Sequence, residues 1–226
     1  MTPLEAGSPP WTDLVFQGAR GFGLSPDKAS LDKCAVFARL LAQANQRVNL
    51  TSIRDPREMA VKHFADSLAP LSHIPMGANV ADIGSGAGFP GLVMAIFRPD
   101  IQVASIETIR KKANFQRHAA LELGLANVKI YNIRAENWGV EGEEGTLFDV
   151  VVCRALSDLP SILAWAAPIL RPDGRIIAMK GRKGSEELAD LKGLEYGGKT
   201  YAAKVIDYTL PIENAPRSLI IFQEQV

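Results

Sequence analysis

The sequence is poor in the features that mark several common protein classes. It has two cysteines in 226 residues, Cys34 and Cys153, far apart and in no CxxC spacing. That argues against a zinc site or a disulfide framework and suggests two core thiols in a reducing compartment. The three histidines, His63, His73 and His118, show no metal-ligand spacing, so no metal is expected. No apolar run approaches the roughly 20 residues of a bilayer span. The stretch Met1–Glu5 has neither the basic nor the apolar segment of a secretory signal. A soluble cytoplasmic protein is therefore expected. There is no charge excess either: 25 Lys and Arg balance 25 Asp and Glu. Nucleic-acid-binding domains often carry a basic surplus, so any such contact must use a local patch. With no heptad run, a monomer is the default expectation.

What the chain does have is apolar content. Hydrophobic residues make up 47% and charged residues 22%, enough to bury a full-sized core. The length fits one large domain, or one domain with an appended piece. Residues 1–30 hold Pro3, Pro9, Pro10, Pro26 and four glycines. They read as a partly ordered arm with a short helix near Trp11–Arg20. From Leu31 to Val48 the apolar residues recur at helical spacing, with Ser30 as a plausible cap. A second helix should follow Asp55, with Pro56 in its first turn and Met59, Ala60, Phe64, Leu68 and Leu71 on one face.

After Gly77 short apolar runs alternate with helical segments. Strands are expected at Asn79–Ile83, Gln102–Ile106, Val128–Asn132, Phe148–Cys153 and Gly174–Met179. Helices are expected near Gly91–Phe97, Arg110–Leu123, Leu159–Leu170 and Ser185–Leu191. Such alternation predicts a parallel sheet covered on both faces. Tyr201–Leu210 and Arg217–Gln223 have no helix between them and should form an antiparallel hairpin at the sheet edge. The chain thus divides into an arm with packed helices over residues 1–76 and an α/β domain over residues 77–226.

The chemistry concentrates in Asp82-Ile83-Gly84-Ser85-Gly86-Ala87-Gly88-Phe89-Pro90-Gly91. Gly84, Gly86 and Gly88 let the backbone turn sharply and approach a ligand closely. A strand, a glycine turn and a helix in this order open a doubly wound fold, where ligands bind beyond the carboxyl ends of the strands. Gly86 to Gly91 satisfies GxGxxG, but that match starts two residues late for a dinucleotide fingerprint. Asp82, just before the turn, would repel a pyrophosphate. It would attract S-adenosylmethionine, which has no phosphate and carries an ammonium and a sulfonium. Glu107, at the end of the second strand, can accept both ribose hydroxyls of an adenosine; otherwise it caps the helix before Arg110. The third strand runs into Arg134-Ala135-Glu136-Asn137-Trp138, which is either an exposed loop with an Arg–Glu pair or a contact for adenine.

These residues resemble the glucose-inhibited-division protein B family, the ribosomal RNA small subunit methyltransferase G. Five blocks carry the resemblance, in order: Asn49–Leu68, Asp82–Gly91, Arg134-Ala135-Glu136, Cys153-Arg154-Ala155 and Met179-Lys180-Gly181. It covers the chain from about Leu31 onward. It implies a class I S-adenosylmethionine-dependent methyltransferase fold with a seven-stranded sheet. It also implies methyl transfer to N7 of guanine 527 (rRNA numbering) in 16S rRNA of the 30S subunit. Gly84 and Phe89 would then contact the cofactor, Ala135 and Glu136 its adenine, and Arg154 would line the same pocket. Asn49, His63, Asp66 and Ser67 become candidates for RNA contact; spacing alone favours a helix-packing polar cluster for His63, Asp66 and Ser67, and the resemblance brings the two readings level. Lys180 and Arg182 belong to a basic group after the fifth strand, at the ligand end of the sheet, where RNA phosphates could be held. Lys183 belongs to that group too. No catalytic base is named, because guanine N7 attacks through a lone pair that is free at neutral pH. The competing readings are a non-catalytic ribosome-assembly RNA-binding factor and a small-molecule methyltransferase.

Overall fold

A computed structural model describes residues 3–143, 145–182, 184–189 and 194–225. Lys183 and the expected helical end at Asp190 and Leu191 lie outside the described residues.

The short helix expected near Trp11–Arg20 is present, and it packs into the core. Helix α1 (Pro9–Gly21) buries Trp11, Val15 and Ala19 completely. Trp11 Nε1 donates to the Pro56 carbonyl at 2.9 Å, and its ring meets Phe64 edge-on at 4.8 Å. Pro9 and Pro10, which read as breakers, occupy the first helical turn, where a missing N–H costs nothing. Helix α2 (Lys28–Asn45) starts earlier than the spacing predicts. Its cap is Asp27, whose Oδ1 accepts from the Ser30 amide at 2.8 Å, while Ser30 sits inside the first turn.

The second expected helix is present but irregular. Asp55 caps α3 (Pro56–Glu58) through the Glu58 amide at 2.8 Å. The chain continues as a π-helical stretch (Met59–Ala65) and a 3-10 stretch (Asp66–His73). Pro70 lies within the latter and cannot donate to an α-helical ladder.

Among the described residues, eight strands form one sheet. They are β1 (Asn79–Ile83), β2 (Gln102–Ile106), β3 (Val128–Tyr131), β4 (Phe148–Arg154), β5 (Leu170–Lys180), β6 (Glu195–Tyr196), β7 (Lys199–Leu210) and β8 (Ala215–Glu224). Their order is β3-β2-β1-β4-β5-β8-β7-β6. The first five strands pair in parallel and the last three antiparallel. The expected edge hairpin is β7–β8. The two-residue β6 is the strand beyond the seven implied by the resemblance.

Helices α4 (Gly91–Phe97), α5 (Arg110–Glu122), α6 (Trp138–Glu141), α7 (Leu159–Ala166) and α8 (Gly184–Ala189) complete the layers. The central strand β4 is buried on both faces, as an unbroken apolar run requires. Val150 and Val152 join the core under α1, α2, α4 and α5, which includes Trp11, Phe37 and Phe64. Val151 and Cys153 join the core under α7, which includes Leu159, Ile162 and Phe222. The helices before residue 77 therefore share one apolar core with the sheet. Both cysteines are buried free thiols, and burial raises the pKa of each. No helix among the described residues is long and apolar enough to cross a membrane.

Candidate functional site

Strand β1 lies between β2 and β4, where the strand order reverses. A cleft of about 340 Å³ opens there beyond the carboxyl ends of the strands. Ile83 and Gly84 line it from β1, Glu107 and Ile109 from β2, Ile133 to Glu136 from the loop after β3, and Ala155 and Leu156 from the turn after β4. Trp165 closes one wall.

The glycine loop is shaped by real constraints at two positions. Gly84 has φ +68°, and a Cβ there would lie 2.3 Å from Leu156 Cδ1. Gly91 has no room either, since a Cβ would lie 2.7 Å from Asp82 Oδ2. The same close approach lets the Gly91 amide donate to that oxygen at 2.7 Å. Asp82 is fully buried, and its other oxygen, Oδ1, has no hydrogen-bond partner. Desolvation pushes its pKa up to about 7, against the opposing pull of the Gly91 amide and the Arg154 charge. A cationic group brought to this carboxylate would relieve that cost.

Glu107 is 4% exposed, and backbone amides hold its carboxylate. Oε2 accepts from Gly86 N and Oε1 from Ile109 N, both at 2.7 Å. Each oxygen keeps a free lone pair, so a ribose diol can still be accepted. The Asn132 side-chain amide donates to the Glu107 and Thr108 carbonyls, at 2.7 and 2.9 Å, and steadies the strand end.

A buried triangle that the sequence reading missed locks the loop from below. The Ser105 and Ser85 hydroxyls are 2.6 Å apart. Ser105 Oγ lies 2.5 Å from Gln116 Oε1, and Gln116 Nε2 donates to Ser85 Oγ and the Gly86 carbonyl at 2.8 Å. Each hydroxyl has one proton, so the circuit closes with Ser85 donating to Ser105, Ser105 to Gln116, and Gln116 back to Ser85. The available signal was a Gln facing inward from α5 between Ala113 and Ala119.

The other expected residues divide between the cleft and its surroundings. Ala135, buried, and Glu136, exposed, both line the cleft. Gly86 and Gly88 turn the loop, with φ of +60° and +101°. The Phe89 ring points away from the cleft into the helical layer, 4% exposed, stacked on His63 at 4.5 Å and on Phe37 at 5.0 Å. Arg154 also turns toward that layer. Its Nη1 donates to the Lys62 carbonyl at 2.8 Å, its Nη2 to His63 Nδ1 at 3.2 Å, and its Cζ lies 5.5 Å from the Phe89 ring centroid.

Because an arginine only donates, His63 Nδ1 is the acceptor, and the proton sits on Nε2, 2.8 Å from Thr51 Oγ1. Burial, with the Arg154 charge beside it, depresses the His63 pKa to about 3, so the ring is neutral. Asp66 balances the arginine at 3.6 Å and accepts from Tyr208 Oη at 2.8 Å. Ser67 Oγ, fully buried, donates to the His63 carbonyl at 2.5 Å. His63, Asp66 and Ser67 are thus brought together as a buried cluster. Asn49 lies apart on the surface, where Arg54 Nη2 approaches its side chain at 3.4 Å. Arg182 is exposed beside Tyr208 and Arg217. Lys180 is 12% exposed and paired with Glu187 at 2.9 Å. Among the described residues no group of His, Cys, Asp and Glu is placed to hold a metal ion.

The family model for rRNA small subunit methyltransferase G matches residues 30–205. The chain is 38% identical to ribosomal RNA small subunit methyltransferase G of Geobacter sp. (strain M21), over 92% of this chain and 95% of that protein. It is 39% identical to the protein of that name from Deinococcus radiodurans, over 98% of this chain and 88% of the relative. Among solved structures it is similar to the O-methyltransferase TomG from Streptomyces achromogenes, solved in complex with SAM. The TM-score is 0.56 at 17% identity, covering 89% of this chain and 92% of that one. The ribosomal protein L11 methylase of Lactobacillus delbrueckii subsp. bulgaricus superposes with a TM-score of 0.52 at 12% identity, over 77% and 90%. At these identities the two structures speak for the fold, that of class I S-adenosylmethionine-dependent methyltransferases.

Proposed function

The chain belongs to the rRNA small subunit methyltransferase G family, and from that premise we propose that it methylates N7 of guanine 527 in 16S rRNA, acting as a cytoplasmic monomer on the 30S subunit or its rRNA. That it is an S-adenosylmethionine-dependent methyltransferase of small-subunit rRNA follows from the family. The nucleotide and the atom are the proposal.

One observation supports this reading: Glu107, with a free lone pair on each oxygen, lines the cleft at the strand-order reversal, and just before the lining Ile83 and Gly84 comes Asp82, fully buried with Oδ1 unpartnered. The donor set fits the group. Asp82 would balance the cationic methionine end, Glu107 would accept the ribose hydroxyls, and Ala135 and Glu136 would contact the adenine. Gly84, Gly86 and Gly88 let the backbone come close. Phe89 and Arg154 shape this pocket from behind, through the helical layer. The cofactor supplies an electrophilic methyl on a cationic sulfur.

The protein's own share is positioning and environment. Guanine N7 offers an in-plane lone pair, so no side chain needs to remove a proton first. Leu156 and Trp165 wall the cleft against water. Asp82 and Glu107 offset positive charge as it passes to the purine. Arg182 and Asn49, both exposed, are the residues offered to RNA phosphates at the rim, while Lys180 and the His63, Asp66 and Ser67 cluster are engaged by partners within the protein.

The test uses methyl-labelled cofactor with 30S subunits, or with 16S rRNA, from a strain lacking the enzyme, and then maps the label. Label at N7 of guanine 527 is expected. Label at another nucleotide would redirect the proposal, and cofactor binding without any transfer would favour an assembly factor.

A further inference from the structure

We propose that Glu187, on α8, is a positioning residue that works with Lys180 to hold the Ala155–Leu156 turn against the cleft, and so sets cofactor affinity from outside it. This rests on the reading that the cleft holds S-adenosylmethionine.

Lys180 ends β5 beside Arg154, which ends β4. Its ammonium has three N–H groups. The Ser157 carbonyl accepts one at 2.5 Å and Glu187 Oε1 another at 3.0 Å, while Oε2 completes the ion pair at 2.9 Å. With its side chain 12% exposed, the ammonium is held between Ser157 and Glu187. Glu187 Oε1 also accepts from the Leu159 amide at 2.9 Å. That amide belongs to the first turn of α7 and has no partner within the helix. One carboxylate thus joins α8, the end of β5 and the start of α7.

The segment clamped in this way is the cleft wall. Ser157 and Leu159 bracket the end of the turn that begins with Ala155 and Leu156. Ala155 has φ +50°, a conformation that a residue with a Cβ keeps only where its surroundings impose it. Leu156 packs on Gly84 so closely that a Cβ on the glycine would lie 2.3 Å from Leu156 Cδ1. A shift of the turn therefore reaches the glycine loop directly. Helix α8 is seated tightly enough to act as an anchor. A Cβ on Gly184 would lie 2.2 Å from Ser218 Oγ and 2.7 Å from Lys180 Cβ, so the helix start rests against β8 and β5.

The test is calorimetric titration of the full chain with S-adenosylmethionine, without RNA, for wild type, E187A, E187Q, K180M and K180M/E187Q. Thermal midpoints and rRNA affinities are measured in parallel. E187A is expected to weaken cofactor binding about tenfold at a temperature where it is fully folded. E187Q keeps an acceptor for the Leu159 amide and loses the ion pair, so it should fall between the two and serves if E187A folds poorly. The double variant should bind no more weakly than K180M alone, because the two residues act as a unit. Wild-type cofactor affinity in both E187A and E187Q overturns the proposal. So does tighter rRNA binding by E187A with the cofactor constant unchanged, which would make Glu187 a screen over Lys180. A wild-type protein that takes up no cofactor removes the cleft reading itself, an outcome distinct from a wild type that binds and variants that equal it.

Discussion

Asp82 and Arg154 sit at the ends of neighbouring parallel strands, yet the chain treats the two charges in opposite ways. Asp82 is held by one backbone amide, and its second oxygen is left bare in the interior. Arg154 is engaged by the Lys62 carbonyl, the His63 ring and the Asp66 carboxylate. The difference separates a carboxylate with an unmet acceptor from a joint between layers. Backbone amides position a carboxylate while leaving lone pairs to spare. A ring of side chains spends its hydrogen-bonding capacity internally and leaves little for a newcomer.

The sharpest way to break the contrast is on the engaged side. Asp66→Ala leaves a buried arginine uncompensated and the Tyr208 hydroxyl without its acceptor. A loss of roughly 3–5 kcal/mol is expected, seen as a fall of about 10 °C in the thermal midpoint. A shift under 2 °C would mean that this cluster is no structural joint.

On the ligand side, Gly84→Val adds bulk at φ +68° where Leu156 already fills the space. Cofactor affinity should fall at least about a hundredfold, or roughly 2.7 kcal/mol, in titrations well below the melting temperature. Unchanged affinity would move the cofactor elsewhere.

The smallest effect, and the most diagnostic, is on pH. Asp82 has a folded pKa near 7, above its ordinary value of 3.8. Between these values the folded state holds the extra proton, so this group makes the free protein less stable as pH rises from 3.8 to 7. Only the ionised form attracts a cation, so cofactor affinity should rise through the same range, by up to about tenfold per unit below pH 7. Asp82→Asn should flatten both trends. His63 runs the other way: its folded pKa of about 3 lies below 6.5, so its share of stability is present above pH 6.5 and fades as pH falls toward 3. Cofactor affinity that stays flat from pH 6 to 8 in the wild type would count against a titrating Asp82 beside the cofactor.

Much of the ligand side could be read in the chain itself. Asp82, the glycines and Glu107 lie within 26 residues, on a strand, a turn and the next strand end, and that pattern places them together in any doubly wound sheet. Leu156 and Trp165 could not be found this way. They are ordinary apolar residues, and only the register of β1 against β4 brings Leu156 over Gly84. The burial of α1 was obscured by prolines that looked like breakers and proved to be helix starters. The 3-10 and π stretches from Met59 to His73 were hidden because an apolar face at helical spacing does not report pitch.

The sequence by itself determined the layered α/β architecture, the glycine turn and the acidic strand ends. Hydrophobic periodicity and backbone freedom act over short windows, and those windows can be read directly. The tertiary structure alone decided the state of the charges. His63 is neutral because burial and Arg154 make it so, Asp66 meets Tyr208 from 142 residues away, and Lys180 is closed by a glutamate on a different element. Desolvation and pairing are properties of a packed site, and they exist only once the chain has brought distant residues out of water together.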